Sequence, residues 1–217
     1  MVQIAATSMI LLAAAGLSSA FVPATRTFAH KLSTAVAASD SDFDDFTSKT
    51  AFMFPGQGAQ FVGMCGEVCK DVPAAKALFD EASEILGYDL LEVCTEGPKE
   101  HLDSTVISQP AIFVASMAAV EKLKQEEGQD AIDAATCAMG LSLGEYSALC
   151  FSGALSFADG VKITKARGEA MQAASDAVDS GMVSVIGLAS DKVKEICEAA
   201  SEKSGESIQI ANYLCSG

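Results

Sequence analysis

Apolar and polar positions alternate along this chain with two different periods, and the switches between them outline its elements. Thr50 to Phe54 is a brief β-type run stopped by Pro55-Gly56. Asp71 to Leu86 then carries apolar residues at 75, 78, 79, 82, 85 and 86, which fall on one face of a helix. Asp71 is its expected cap, Pro73 lies in its first turn and Gly87 is its stop. Ser108 to Gln125 predicts a second helix whose middle, Ala111 to Val120, is nearly all apolar and therefore deeply buried. Ala134 to Met139 reads as a strand, a helix follows from Ser142, and Ser156 to Ala174 reads as another helix. Strands alternating with helices predict an α/β fold, a parallel sheet with helices packed on it. Beyond Ser180 the texture changes. Met182 to Leu188 reads as a strand, Asp191 to Glu202 as a helix and Ser207 to Leu214 as a strand, the start of a small separate unit.

Charge divides the chain further. Residues 1–39 contain no acid and two bases, Arg26 and Lys31, so the −15 of the whole chain becomes −17 for residues 40–217. A body this acidic repels phosphates and excludes a nucleic-acid partner. Ile4 to Ala20 is an apolar run ending in small residues suited to signal cleavage, and it is short for a membrane span. The acid-free, Ser/Thr/Ala-rich stretch after Phe21 has the composition of a plastid transit peptide. Residues 1–39 are therefore expected to be a signal-plus-transit presequence, with delivery to the plastid stroma and no stable membrane association after its removal. A mitochondrial presequence or a plain secretory signal are the alternatives. Residues 40–49 form an acidic linker, 50–178 the main domain and 179–217 the start of the second.

The densest chemistry is Gly140-Leu141-Ser142-Leu143-Gly144, a G-x-S-x-G pattern between the second strand and a helix. In that setting a serine sits on a sharp turn with its hydroxyl exposed above the sheet. A serine that merely caps the helix gives the same pattern. Phe54-Pro55-Gly56-Gln57-Gly58-Ala59-Gln60 is a loop at a strand end, where active sites of α/β sheets are lined, and Gln57 can present N–H groups to an oxyanion. Ser108-Gln109-Pro110-Ala111 opens the long helix. Lys165-Ala166-Arg167-Gly168 lies in the helix after Ser142, where Arg167 is either a snorkelling surface residue or a clamp for a carboxylate. Seven cysteines and two histidines match no metal-ligand spacing, so free thiols and no metal are expected.

These four motifs, in this order and spacing, resemble those of the malonyl-CoA:acyl-carrier-protein transacylase family and of related acyltransferase domains. The resemblance runs from about Ala51 to Gly217. It implies an α/β-hydrolase-like core with a ferredoxin-like small subdomain, here only begun, the C-terminal part being absent. It implies Ser142 as nucleophile, the backbone N–H groups of Gln57 and Leu143 as oxyanion hole, Arg167 on the free carboxylate of malonyl, and Gln109 lining the pocket. It implies malonyl-CoA and acyl carrier protein as partners and no cofactor, in fatty acid biosynthesis.

Two departures stand out. Leu141 occupies the position before the nucleophile where the family usually has histidine. The family's general base lies downstream of the insert, past Gly217, and His101 in its polar surroundings reads as a surface residue. The chain is thus expected to be an N-terminal portion, inactive by itself. A serine esterase and a non-catalytic protein that docks acyl carrier protein are the competing readings. An acidic carrier needs a basic patch, for which Lys162, Lys165 and Arg167 are candidates.

Overall fold

A computed structural model provides the structure of the chain and describes residues 2–6 and 50–213; the presequence and linker expectations for 7–49, and Cys215, lie outside the described residues. Of the described residues, 50–173 form one compact unit and 2–6 with 174–213 a second. The first strand, β1 (Val2–Ala6), belongs to the second unit.

The larger unit is built on β2 (Ala51–Phe54), paired in parallel with β3 (Cys137–Gly140), Ala51 opposite Cys137 and Phe54 opposite Gly140. Between them run α1 (Gly66–Asp71), α2 (Pro73–Leu86), α3 (Leu90–Glu96), α4 (Lys99–Asp103), α5 (Thr105–Glu127) and α6 (Gln129–Asp133). After β3 come α7 (Gly144–Phe151) and α8 (Phe157–Ala177). Asp71 ends α1 instead of capping α2; Val72 takes an extended conformation between them and Pro73 opens α2, its fixed φ suiting a first helical position. α2 buries Ala75, Phe79, Ala82 and Leu86, the stripe its spacing predicts, and stops at Gly87 with φ 86. α5 starts at Thr105, a turn ahead of the expected Ser108. Pro110 sits inside it, where its missing N–H forfeits one helical bond. α6 and its closing bonds from Ala134 and Ala135 occupy the first residues expected of the second strand, so β3 begins only at Cys137.

Helix α5 is the core of this unit. Phe113 and Val114 on it are fully buried, as are Phe79 of α2, Leu90 of α3 and Leu102 of α4. Phe113 stacks on Phe157 of α8 at 5.7 Å between centroids, and α7 rests on β2 through Phe151, 4.5 Å from Phe52. α5 is long and apolar enough to cross a membrane, and most of that stretch is instead buried as core.

The smaller unit contains β4 (Gly181–Val185), α9 (Ser190–Ser204) and β5 (Ile208–Tyr213). β1 lies between β4 and β5 and pairs antiparallel with both, so those two strands do not meet. Val193 and Cys197 of α9 close a small core with Val185, Ile208 and Ile210.

Candidate active site

The strand–turn–helix junction after β3 is set by space. An added Cβ at Gly140 would lie 1.9 Å from the Gly144 carbonyl carbon, and one at Gly144 would lie 2.1 Å from the Phe54 oxygen. Backbone passes backbone at both points, which only glycine allows. The strain lies on the residue between them. Ser142 has φ 54, a left-handed conformation costing a non-glycine residue about 1–2 kcal/mol and typical of functional turns. The fully buried Leu143 side chain pins the turn, while Ser142 itself is exposed. Leu141 donates its N–H to the Phe54 carbonyl at 3.2 Å, tying the turn to the end of β2.

Ser142 meets Arg167 across the gap between α7 and α8. Arg167 Nη2 donates to Ser142 Oγ at 2.8 Å, and Nη1 donates to Gln109 Oε1 at 2.7 Å. Gln109 is fully buried on α5, and its Nε2 donates to Met171 Sδ at 3.1 Å. The guanidinium also lies over the Tyr146 ring, 5.6 Å from its centroid. Arg167 therefore does not snorkel outward: the cation turns inward, against the serine. Gly168 beside it allows this approach, since a Cβ there would lie 2.7 Å from the Thr105 carbonyl oxygen on α5. A guanidinium stays protonated and offers donors only, so Arg167 can receive an anion and cannot act as a base.

The amides around the serine are mostly used. Those of Gly144, Glu145 and Tyr146 donate to the carbonyls of Leu141, Ser142 and Leu143. Among the described residues no acceptor takes the N–H of Leu143, the position that caps α7. The Gln57 N–H is likewise unclaimed among the described residues, while Gly58 N–H next to it donates to Gln60 Oε1 at 2.8 Å. The loop of Gln57 borders the turn: a Cβ on Gly56 would lie 2.7 Å from the Leu141 oxygen. It is anchored on the other side, Gln57 Nε2 donating to Thr105 Oγ1 at 3.2 Å and Gln60 Nε2 to Asp103 Oδ1 at 2.9 Å. The hydrogen bonds from Lys99 and Gln60 hold the Asp103 carboxyl below the usual carboxylate range.

Ser142, Arg167 and Gln109 are thus brought together, with Leu143 and the Gln57 loop beside them. His101 is exposed on α4, as expected of a surface residue. Of the candidate basic patch, Lys162 pairs with Asp159 and Lys165 donates to the Leu86 carbonyl at 3.4 Å. The six described cysteines are free, and none of the described residues forms a cluster able to hold a metal. An apolar groove of about 440 Å³, lined by Phe52, Phe54, Phe61, Ile112 and Leu123 among others, does not include the serine or its partners. Tyr146, Met171 and Thr105 were not legible as site residues; Tyr146 closes the G-L-S-L-G-E-Y motif one helical turn after Ser142, and Met171 follows Arg167 by one turn.

Comparison with known proteins places the chain in a family. The family described as acyl transferase domain matches residues 51–202. The mouse malonyl-CoA-acyl carrier protein transacylase, named as mitochondrial, is 48% identical over 166 residues, covering 76% of this chain and 43% of the relative. The crystal structure of FabD from Acinetobacter baumannii is 38% identical with a TM-score of 0.65, covering 79% of this chain and 53% of that one. A solved complex of a type II polyketide synthase acyl-carrier protein with its malonyl-transacylase is 32% identical with a TM-score of 0.60, covering 73% and 53%. The chain spans about half the length of the relatives it matches.

Proposed function

This chain belongs to the acyl transferase domain family, and on that premise we propose that it carries the nucleophile side of a malonyl-CoA:acyl-carrier-protein transacylase site. Ser142 Oγ attacks the malonyl thioester carbonyl, the carbon–sulfur bond breaks, and coenzyme A leaves as a thiol. The phosphopantetheine thiol of acyl carrier protein then takes the malonyl group from the serine. The N–H groups of Leu143 and Gln57 receive the negative charge that develops on the carbonyl oxygen, each worth about a hundredfold or more in rate. Arg167 holds the free carboxylate, with Gln109 fixing its other arm. No cofactor enters these steps. The serine proton needs an acceptor, and Arg167, bonded to Ser142 Oγ, cannot serve.

The observation that carries this reading is the guanidinium at 2.8 Å from Ser142 Oγ. A hydrolase of apolar esters has no use for a cation there. The β4-α9-β5 run is taken as the beginning of a ferredoxin-like subdomain. The mitochondrial names among the relatives support the mitochondrial alternative for the leader, while its composition supports the plastid.

The test is single-turnover acylation of the full 217-residue chain, followed by intact mass. A slow malonyl adduct on Ser142, absent from Ser142→Ala and formed well ahead of the acetyl adduct from acetyl-CoA, is expected. Equal adducts from the two thioesters overturn the reading in favour of an esterase.

A further inference from the structure

We propose that Tyr146 is the residue that positions Arg167 and thereby sets the preference for acyl groups bearing a carboxylate; this rests on the transacylase reading above. The guanidinium has three holds: Gln109 Oε1, Ser142 Oγ and the Tyr146 ring. One of them is temporary. A carboxylate oxygen is a stronger acceptor for Nη2 than the neutral Ser142 Oγ, so Nη2 exchanges the hydroxyl for the carboxylate as a malonyl group binds. Through this exchange the side chain, half-buried and joined to its helix by a long flexible stem, keeps only Gln109 and Tyr146.

The two permanent holds differ in kind. Gln109 is fully buried and tied to Met171 Sδ, so it fixes one nitrogen in direction. The Tyr146 ring attracts the cation across its face with little directional demand, at 5.6 Å well within the range of a cation–π contact. It restrains the guanidinium at the site while letting Nη2 move from hydroxyl to carboxylate. Tyr146 also stands one turn after Ser142 on α7, and its N–H donates to the Leu143 carbonyl at 3.0 Å. The ring that holds the cation is therefore carried by the element that fixes the nucleophile, which keeps the distance between carboxylate and carbonyl sites constant. Without the ring, Arg167 swings outward and its discrimination between malonyl and acetyl falls.

The experiment compares malonyl and acetyl adduct rates for the full chain, Tyr146→Phe and Tyr146→Leu. Tyr146→Phe retains an aromatic face and is expected to retain the wild-type ratio, whereas Tyr146→Leu lowers it by about 3- to 30-fold, the range of a cation–π contact. In parallel, the Arg167 Nε–H resonance reports ring-current displacement, expected in wild type and Tyr146→Phe and lost in Tyr146→Leu. A wild-type ratio near one sinks the transacylase reading. A selective wild type with Tyr146→Leu folded and equally selective, or an Arg167 resonance indifferent to Tyr146→Leu, overturns the role given to Tyr146.

Discussion

Gly144→Ala isolates the physical basis of the turn that presents Ser142. Gly144 opens α7 with no left-handed backbone, and at such a position alanine is about 1 kcal/mol better than glycine in a helix. The outcome is decided by what the methyl meets. It would lie 2.1 Å from the Phe54 oxygen, 2.7 Å from its carbonyl carbon and 2.9 Å from the Pro55 oxygen. All three are backbone atoms that no rotamer change removes. Ordinary contact needs about 3.5 Å, so α7 must retreat from the end of β2 by more than an ångström. That retreat breaks the Leu141 N–H to Phe54 carbonyl bond, worth about 1 kcal/mol, and adds about 1–3 kcal/mol of overpacking. Set against the helix gain, the net loss is about 2 kcal/mol, or a fall of about 4–8 °C in Tm for a chain of this size. Thermal melts by circular dichroism measure it, with Gly181→Ala as control because a methyl there meets nothing within 4 Å. A Gly144→Ala midpoint at or above that of wild type would refute the packing argument.

Three further predictions concern charge and burial. On the proposed reading Arg167→Ala removes the cation that would bind the acyl carboxylate, so the malonyl-over-acetyl ratio of adduct rates should fall by about 10- to 100-fold; an unchanged ratio counts against the clamp. Burial pushes the Cys65 and Cys94 thiols up to about 12, so both should resist iodoacetamide at pH 8 until urea unfolds the chain, as peptide mass spectrometry can follow. The folded form keeps these protons from pH 9 to about 12 while the unfolded form loses them, so stability must fall as pH rises through that window. A urea midpoint that holds steady from pH 8 to about 10.5 would contradict this.

The parts of the fold that repeat a period were legible. The stripe 75, 79, 82 and 86 appears buried as read, and the strand before the serine and the helix after it lie where the motif requires. Short elements were not: α1, α3 and α4 have five to seven residues each, too few for a 3.6-residue period to declare itself. Asp71 had the side chain of a cap, but burial of Val72 placed the break one residue later. The pairing of β1 between β4 and β5 joins residues some two hundred positions apart, and no local pattern encodes it. The site divides the same way. Ser142 was readable because its glycines are local requirements. Arg167 was ambiguous, because an arginine on a helix carries the same signal whether it faces solvent or a nucleophile.

On the transacylase reading proposed above, the contact between Arg167 and Ser142 also bears on selectivity. Arg167 Nη2 donates to Ser142 Oγ, which draws on one of the oxygen's two lone pairs and lowers its nucleophilicity. An acyl group with a carboxylate draws the guanidinium to itself and frees the serine as it binds. An acetyl group offers no acceptor, and the cation stays on the hydroxyl. One residue then acts twice on the same choice, once by holding the correct acyl group and once by leaving the nucleophile engaged in front of the wrong one. Binding of the carboxylate contributes to Kd, whereas release of the serine contributes to the rate of attack. The two effects therefore fall on different steps, and a lysine in place of Arg167 cannot supply both. Its ammonium is a single point charge, without the fork that lets Arg167 keep Gln109 while Nη2 changes partners.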